Sequence, residues 1–151
     1  MVQDFQKVFE YNDWANNKLV SGLSEQNIID VTVLRLFSHI VLSEQIWILR
    51  IEEENYSGKN FWEILTLEEC KTIIIENRRK YKTIIDKMDL SKTITYKNSK
   101  GIQYNNSVYD ILTHVSFHSA YHRGQVAKEI RRLNKEPALT DYIAFIRERY
   151  S

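Results

Sequence analysis

The sequence predicts an all-α protein, a four-helix bundle with a small β-hairpin between the third and fourth helices and a short C-terminal helix. Only four Gly and one Pro occur among 151 residues, which favours long helices over many short strands and turns. Apolar residues recur at intervals of three and four along four long segments, as on the buried face of a helix. Residues 93–105 instead alternate and are rich in β-forming residues. The length predicts one domain, residues 1–151, with its own core.

The first helix is predicted over residues 3–20. Its apolar stripe at helical spacing consists of Phe5, Val8, Phe9, Ala15 and Leu19, with Trp14 beside it. Gly22 is expected to stop the helix, with a linker after it. Tyr11, Asn12 and Trp14 are interpreted as packing and capping residues.

The second helix is predicted to begin after an N-cap at Asp30 or Thr32 and to run to about Glu54. His39 stands on the edge of its apolar surface. Taken alone, a histidine there is more often a hydrogen-bonded core residue than a metal ligand. Glu44 either hydrogen-bonds a ligand imidazole or is a solvated charge on the helix, and the residues alone leave both open.

The third helix is predicted to begin at a capping box formed by Thr66 and Glu69 and to run to about Met88. Cys70 falls on the buried stripe of this helix. It is therefore interpreted as a core residue and not as a nucleophile.

Two short β-rich segments, residues 93–97 and 102–104, predict a hairpin with a turn between them. A lone hairpin is only marginally stable, so we expect it to lie on the bundle. The fourth helix follows from an N-cap at Ser107, and Asn134 is its expected C-terminal stop. A short last helix ends at Tyr150.

Three of the four histidines, His114, His118 and His122, lie four residues apart in the fourth helix. Four residues make about 400° of rotation, so all three share one face. An i, i+4 pair of imidazoles can grip one metal ion, and His39 can supply a third ligand if the two helices pack side by side. On a buried face, each imidazole with an unpaired nitrogen costs about 1–3 kcal/mol, which a bound metal removes. His114 is a fourth ligand, a group that supports a ligand, or a mere neighbour.

Composition excludes several classes of protein. Twenty-one basic and twenty acidic residues nearly cancel, so charge gives no case for nucleic acid or an anionic membrane surface. Cys70 is the single cysteine, which excludes an intrachain disulfide and suits a reducing cytoplasm. The N-terminal residues lack a signal-peptide pattern, and no apolar run is expected to reach the roughly 20 residues of a membrane span. A soluble cytoplasmic protein is predicted.

Four stretches of the chain follow the pattern of one family. They are His114-x3-His118-x3-His122-Arg123-Gly124-Gln125, Tyr11-Asn12-Asp13-Trp14-Ala15-Asn16, Ser38-His39-Ile40 followed by Glu44 and Trp47, and Pro137 with Thr140-Asp141-Tyr142-Ile143. On these motifs the chain resembles the DinB family of small metal-binding four-helix proteins, over nearly its whole length. The resemblance implies a bundle with a long crossover connection and, as in many members, a homodimer.

The resemblance also implies which histidines bind the metal. The ligands would be His39, His118 and His122, with His114 outside the ligand set but close to it. Three neutral imidazoles suit Zn²⁺, Ni²⁺, Fe²⁺ or Co²⁺. Three protein ligands leave at least one position for water or substrate, as catalytic sites do.

Relatives in the wider superfamily are thiol-dependent transferases and isomerases that act with the low-molecular-weight thiols of bacteria. The resemblance therefore favours a metal-dependent thiol S-transferase with a small-molecule substrate, such as one of these thiols. DNA binding is suggested only by the name of the family, and the balanced charge argues against a nucleic-acid or membrane partner. Metal-dependent hydrolysis is the second hypothesis, since a metal lowers the pKa of bound water toward about 7. A non-catalytic metal-binding stress-response protein is the third. A coordination sphere completed by His114 would favour that third hypothesis, and an open position would favour an enzyme.

The Arg-Gly-Gln sequence after the last histidine leaves alternatives open. Arg123 either pairs with Glu44, Asp141 or another carboxylate and locks the bundle, or meets an anionic substrate. Gly124 is expected to allow close approach of a helix. Gln125 is expected to hydrogen-bond near the site.

Overall fold

The computed structural model describes residues 2–151, with side chains from residue 4 onward. Its elements, in chain order, are α1 Val2–Glu25, α2 Val31–Ile51, α3 Leu67–Lys87, β1 Thr93–Lys97, β2 Gln103–Ser107, α4 Val108–Arg132 and α5 Tyr142–Tyr150. Helices α1 to α4 form the predicted bundle, the antiparallel hairpin lies between α3 and α4, and α5 is the short helix at the end.

Helix α2 packs against α3 and α4, and α1 packs against the same two helices. The Ser38 hydroxyl of α2 lies 3.9 Å from the Cys70 sulfur of α3, and further along both helices Tyr81 donates to the carbonyl of Glu44. Both pairs advance in the same direction, so α2 and α3 are parallel. Parallel neighbours of this length, about 30 Å, require a connection that returns along the whole bundle. Residues 52–66 form this crossover, as predicted.

Gly22 does not end α1, so that prediction is wrong. The helix continues to Glu25 because Leu23, the next residue, is completely buried in the core, and its burial outweighs the weak helix propensity of one glycine. The chain leaves the helix at Asn27, whose φ is +52°. The Ile28 amide donates to the carbonyl of Leu23, as in a Schellman motif.

Helix α2 begins as predicted at Asp30, whose carboxylate accepts from the amides of Thr32 and Val33. It ends at Ile51 and not near Glu54, because the chain turns at Glu53, where φ is +58°.

By length and mean hydropathy, α2 is long and apolar enough to cross a membrane. The same test of length and composition is also passed by helices that are buried in a core, and α2 carries Arg35, Glu44 and Arg50 along its length. In the structure, 61% of its most apolar window is buried inside the bundle. The apolar residues of α2 are thus those of a core helix, which contacts both α3 and α4.

The predicted helix starts further along the chain are confirmed. The side chain of Thr66 accepts from the Glu69 amide and the Glu69 carboxylate accepts from Thr66 in return, which completes the capping box. Ser107 accepts from the amide of Asp110 at the start of α4. The last helix begins after Asp141, without a side-chain cap bond.

The hairpin is anchored to the bundle by Ile94, which is completely buried. Its strands pair from Thr93 with Ser107 to Lys97 with Gln103, so the second strand extends beyond the predicted residues 102–104. Ser107 is therefore both the last residue of β2 and the N-cap of α4, which joins the hairpin directly to the helix that carries the histidines.

Candidate metal centre

Antiparallel packing of α2 against α4 brings His39 beside His118 and His122. One ring nitrogen from each of the three lies within 4.8 Å of the other two. The ring centroids are 5.2 Å apart for His39 and His118, 4.7 Å for His39 and His122, and 4.4 Å for His118 and His122. The three residues that the family resemblance named as ligands therefore form one cluster that can hold a metal ion.

The hydrogen bonds at two of the rings determine which nitrogen is free. His122 Nδ1 lies 2.6 Å from the side-chain oxygen of Gln125, and His39 Nδ1 lies 2.8 Å from the carbonyl oxygen of Phe61. Both oxygens can only accept, so each Nδ1 carries the proton and donates it. The lone pair of each ring is then on Nε2, and a hydrogen bond of this kind orients a metal-binding imidazole.

The spacing of the ring nitrogens matches the spacing of two ligands on one metal ion. His118 Nε2 lies 3.1 Å from His122 Nε2. Two bonds of about 2.0–2.1 Å at a tetrahedral angle would place two ligand nitrogens about 3.3 Å apart. The observed spacing and the all-imidazole donor set thus fit a divalent transition metal.

Burial keeps His39 and His118 in the form that binds metal. It lowers the pKa of His118 to about 4, with further lowering by the neighbouring His122, His39 and His114. Burial also lowers the pKa of His39, against the opposing effect of its bond to Phe61. Both rings are neutral at pH 7, and only neutral imidazole offers a lone pair to a metal.

His114 is a neighbour of the cluster and not a member of it. Its ring packs against Trp47, with centroids 5.2 Å apart, and against His118 at 5.4 Å. The side chain is exposed, and the group of three ligand nitrogens does not include it.

The crossover connection supplies two contacts to the site that sequence reasoning missed. Trp62 stacks on His39 with ring centroids 3.6 Å apart and planes within 4°, and it stands perpendicular to the His122 ring at 6.2 Å. The preceding residue, Phe61, provides the carbonyl that orients His39. The one feature of the sequence that could have indicated these contacts is the pair of adjacent aromatic residues in this connection.

Glu44 fits neither of its two expected roles, because it is buried and bonded away from the histidines. Its carboxylate accepts from the amides of Asn12 at 2.7 Å and Asn16 at 3.0 Å. Ser119 of α4 donates to it at 2.7 Å, and Asn77 of α3 at 3.5 Å. This carboxylate therefore ties the four helices together.

Arg123 has a structural role, but its described hydrogen bonds are to two asparagines and not to a carboxylate. Its Nη1 donates to the side-chain oxygens of Asn12 at 2.6 Å and Asn16 at 2.9 Å. The two asparagines thus bridge the buried Arg123 and Glu44, which places opposite charges on either side of a pair of amides. Asn12 is therefore a buried packing residue, as interpreted, and its contacts are hydrogen bonds to Glu44 and Arg123.

Three further predictions concern Gln125, Gly124 and Cys70. Gln125 does hydrogen-bond at the site, as expected. Gly124 is exposed, and a Cβ there would meet no atom within 4 Å, so the expected close helix approach does not occur. Cys70 is a core residue as predicted, and burial raises the pKa of its thiol to about 11.

Two comparisons with known proteins identify the same family. Residues 1–150 match the family model described as the DinB family. The chain is also 28% identical to Protein DinB of Bacillus subtilis (strain 168), over an alignment of 159 residues that covers 90% of each protein. The family match spans all five helices and all three clustered histidines, and the chain belongs to the DinB family.

Proposed function

We propose that this protein is a metal-dependent enzyme that transfers the sulfur of a small thiol. His39, His118 and His122 would hold one divalent ion, with Zn²⁺, Ni²⁺ and Fe²⁺ suited to three imidazoles. The observation that carries the proposal is the orientation of the rings. The Nδ1 of His39 donates to Phe61 and the Nδ1 of His122 donates to Gln125. Each of these two rings therefore has Nε2 free to bind a metal ion.

The composition of the cluster supports an enzyme over a purely structural metal site. A closed structural site generally has four protein ligands, whereas a catalytic site has three and an open position. His114, the only further histidine in the chain, packs on Trp47 instead. His118 is only partly buried, so the cluster is accessible from the side of α4.

A divalent ion at this position would favour the thiolate form of a thiol, which is the nucleophile in S-transfer. In the overall reaction, the sulfur forms a bond to an electrophilic carbon of a second substrate. The bond from that carbon to its leaving group breaks, and the leaving group departs with the thiol proton. Trp62 covers His39 and would help to exclude water from the reacting sulfur.

Hydrolysis is the alternative chemistry for the same three ligands, but the surroundings give it less support. Hydrolytic metal sites commonly use a carboxylate as general base. The hydrogen bonds described for the cluster go to a carbonyl, an amide and the hydroxyl of Ser43. The buried carboxylate of Glu44 is occupied by asparagine and serine donors.

The test is a transfer assay on protein purified without chelator and without nickel affinity resin. Cysteine serves as the thiol and chlorodinitrobenzene as the electrophile, with metal content measured by elemental analysis. We expect bound metal and thiol conversion by the wild type, both lost in His118→Ala and both kept in His114→Ala. Metal binding without acceleration of transfer would contradict the enzyme proposal. Ester hydrolysis in place of transfer would identify the alternative chemistry.

A further inference from the structure

Arg50, near the C-terminal end of α2, is a buried cation without an acidic partner. It is 5% exposed, and none of the ion pairs among residues 4–151 includes it. Its Nη2 makes a long hydrogen bond of 3.4 Å to the carbonyl of Lys97, and its Nε is buried with no hydrogen-bond partner. A buried charge left uncompensated is strongly destabilising, so this guanidinium is suited to receive an anionic ligand.

Four aromatic rings enclose the Arg50 guanidinium. Its central carbon lies 4.4 Å from the ring centroid of Trp47, 5.0 Å from Tyr96, 5.2 Å from Tyr56 and 5.5 Å from Phe61. The Tyr56 hydroxyl also makes a hydrogen-bond contact with Arg50. Ring faces stabilise a cation, but they do not accept the in-plane N–H groups of a guanidinium. Those groups are the ones that carboxylate and phosphate oxygens satisfy, two at a time.

Arg50 lines a cavity of about 670 Å³ between the crossover connection and the turn of the hairpin. Two further cations line the same cavity, Lys59 and Lys97, against the single carboxylate of Glu54. Tyr56 holds its two walls together, since its hydroxyl accepts from the Lys97 amide at 2.7 Å and donates to the Lys97 carbonyl at 3.1 Å. The cavity is therefore a basic pocket between fixed walls.

The pocket and the histidine cluster are connected through Phe61, which lines the pocket, and through Trp47 beside Arg50. The Phe61 ring faces Arg50, while the Phe61 carbonyl orients His39. Trp47 lies under the Arg50 guanidinium and also contacts His114, which packs on His118. A molecule bound in the pocket would thus lie against Phe61, the residue whose carbonyl orients His39.

We infer that the cavity around Arg50 binds the carboxylate or phosphate group of a small anionic substrate. The inference rests on the proposed function, which it deepens by naming the charge of the substrate. Arg50 would supply a paired, charge-assisted contact, with Lys59 and Lys97 completing the recognition. The aromatic rings would keep the guanidinium plane in place before the substrate arrives.

The experiment is a titration with inorganic phosphate and with malonate, followed by calorimetry and by amide chemical shifts. Wild type, Arg50→Gln and the double variant Lys59→Gln/Lys97→Gln are compared. The matched control, Lys128→Gln/Lys135→Gln, removes two exposed lysines elsewhere. We expect saturable binding to the wild type, weakened about tenfold or more in Arg50→Gln and several-fold in the double variant. The control variant is expected to bind as the wild type does, and the tighter of the two probes identifies the anion.

Three outcomes would overturn the inference: no saturable binding by the wild type, unchanged binding in the double variant, or equal weakening in the control. The double variant alters two exposed lysines, so the test stands even if Arg50→Gln does not fold. The wild-type measurements separate the two proposals. Anion binding by a wild type that shows neither bound metal nor transfer activity would count against the proposed function alone. Metal and transfer activity without anion binding would count against this inference alone.

Discussion

At the residue scale, the ligand geometry depends on two hydrogen-bond acceptors from different parts of the chain. Gln125 follows His122 by three residues on α4 and accepts from its Nδ1. Phe61 accepts from His39 through a backbone carbonyl of the crossover connection. Because a backbone carbonyl is present at every residue, no side-chain pattern in the sequence identifies the second acceptor.

Removing a ligand is expected to lower metal content and melting temperature together. His118→Ala and His122→Ala each delete one of the three nitrogens, and a metal that bridges α2 and α4 stabilises the folded state by mass action. Elemental analysis and thermal unfolding, with and without chelator, measure both effects. Wild-type metal content in both variants would show that the assignment is wrong.

Two variants that leave the three clustered histidines intact serve as matched controls. His114→Ala removes an imidazole that lies outside the cluster, and Cys70→Ala removes the buried thiol. Both are expected to retain metal. Loss of metal in Cys70→Ala would make the thiol a ligand and contradict the all-histidine site.

The metal-free protein is expected to lose stability as the pH falls from about 6.5 toward 4. His118 titrates near 4 when folded and near its ordinary 6.5 when unfolded. Between these values the unfolded chain binds more protons, so the free energy of unfolding rises with pH in that window. Denaturant unfolding of the metal-free wild type and of His118→Ala at several pH values measures the difference. Parallel curves for the two proteins would contradict the lowered pKa.

At the element scale, tertiary packing decides where the helices end. Helix α1 passes through Gly22 because Leu23 is buried, and it closes with a Schellman motif at Asn27. Helix α2 closes in the same way at Glu53, whose φ is also positive. Glu53 is neither glycine nor asparagine, so the usual C-terminal signal is missing at the end of α2. At the end of α1 the signal is Asn27, five residues after Gly22.

Replacing Gly22 by alanine is expected to stabilise the protein by about 0.5–1 kcal/mol, because alanine has the higher helix propensity. The added Cβ would lie 3.7 Å from Cβ of Ala138, an ordinary van der Waals contact. Gly58→Ala is the contrasting control, since the φ of +80° at Gly58 strains any side chain. Denaturant unfolding should show a rise for the first variant and a fall for the second. A fall in both would mean that Gly22 is required for packing.

At the scale of the whole molecule, the parallel arrangement of α2 and α3 has a functional consequence. It requires the long connection of residues 52–66, and that connection carries Phe61 and Trp62 to the histidine cluster. The same segment forms one wall of the pocket around Arg50. A bundle with only short connections would lack both features.

We propose that the protein forms a homodimer through the face shared by α1 and α4. Phe117 is 73% exposed and lines an apolar cavity of about 230 Å³ with Phe5, Val8 and Tyr109. Light scattering after gel filtration should find a dimer for the wild type and a monomer for Phe117→Glu. Ile75→Glu is the matched control, because it places the same charge at an exposed apolar residue of α3. A dimer that survives Phe117→Glu would exclude this face.

Local sequence patterns were sufficient to predict the helical class, the hairpin, the helix starts and the histidine pattern on α4. These features depend on local chemistry. Helical periodicity, capping side chains such as those at Asp30 and Ser107, and a spacing of four residues act within a few turns. Together with the family motifs, these patterns also identified His39 as a candidate ligand.

The groups that meet across the bundle could be identified from the packed helices but not from the sequence. The bridge from Glu44 to Arg123 passes through two asparagines of α1, and the pocket around Arg50 combines α2, the crossover and the hairpin. The physical reason is that hydrogen bonds, charge pairs and cavities depend on distances in space. Those distances follow from the direction and packing of whole helices, which the local sequence pattern does not encode.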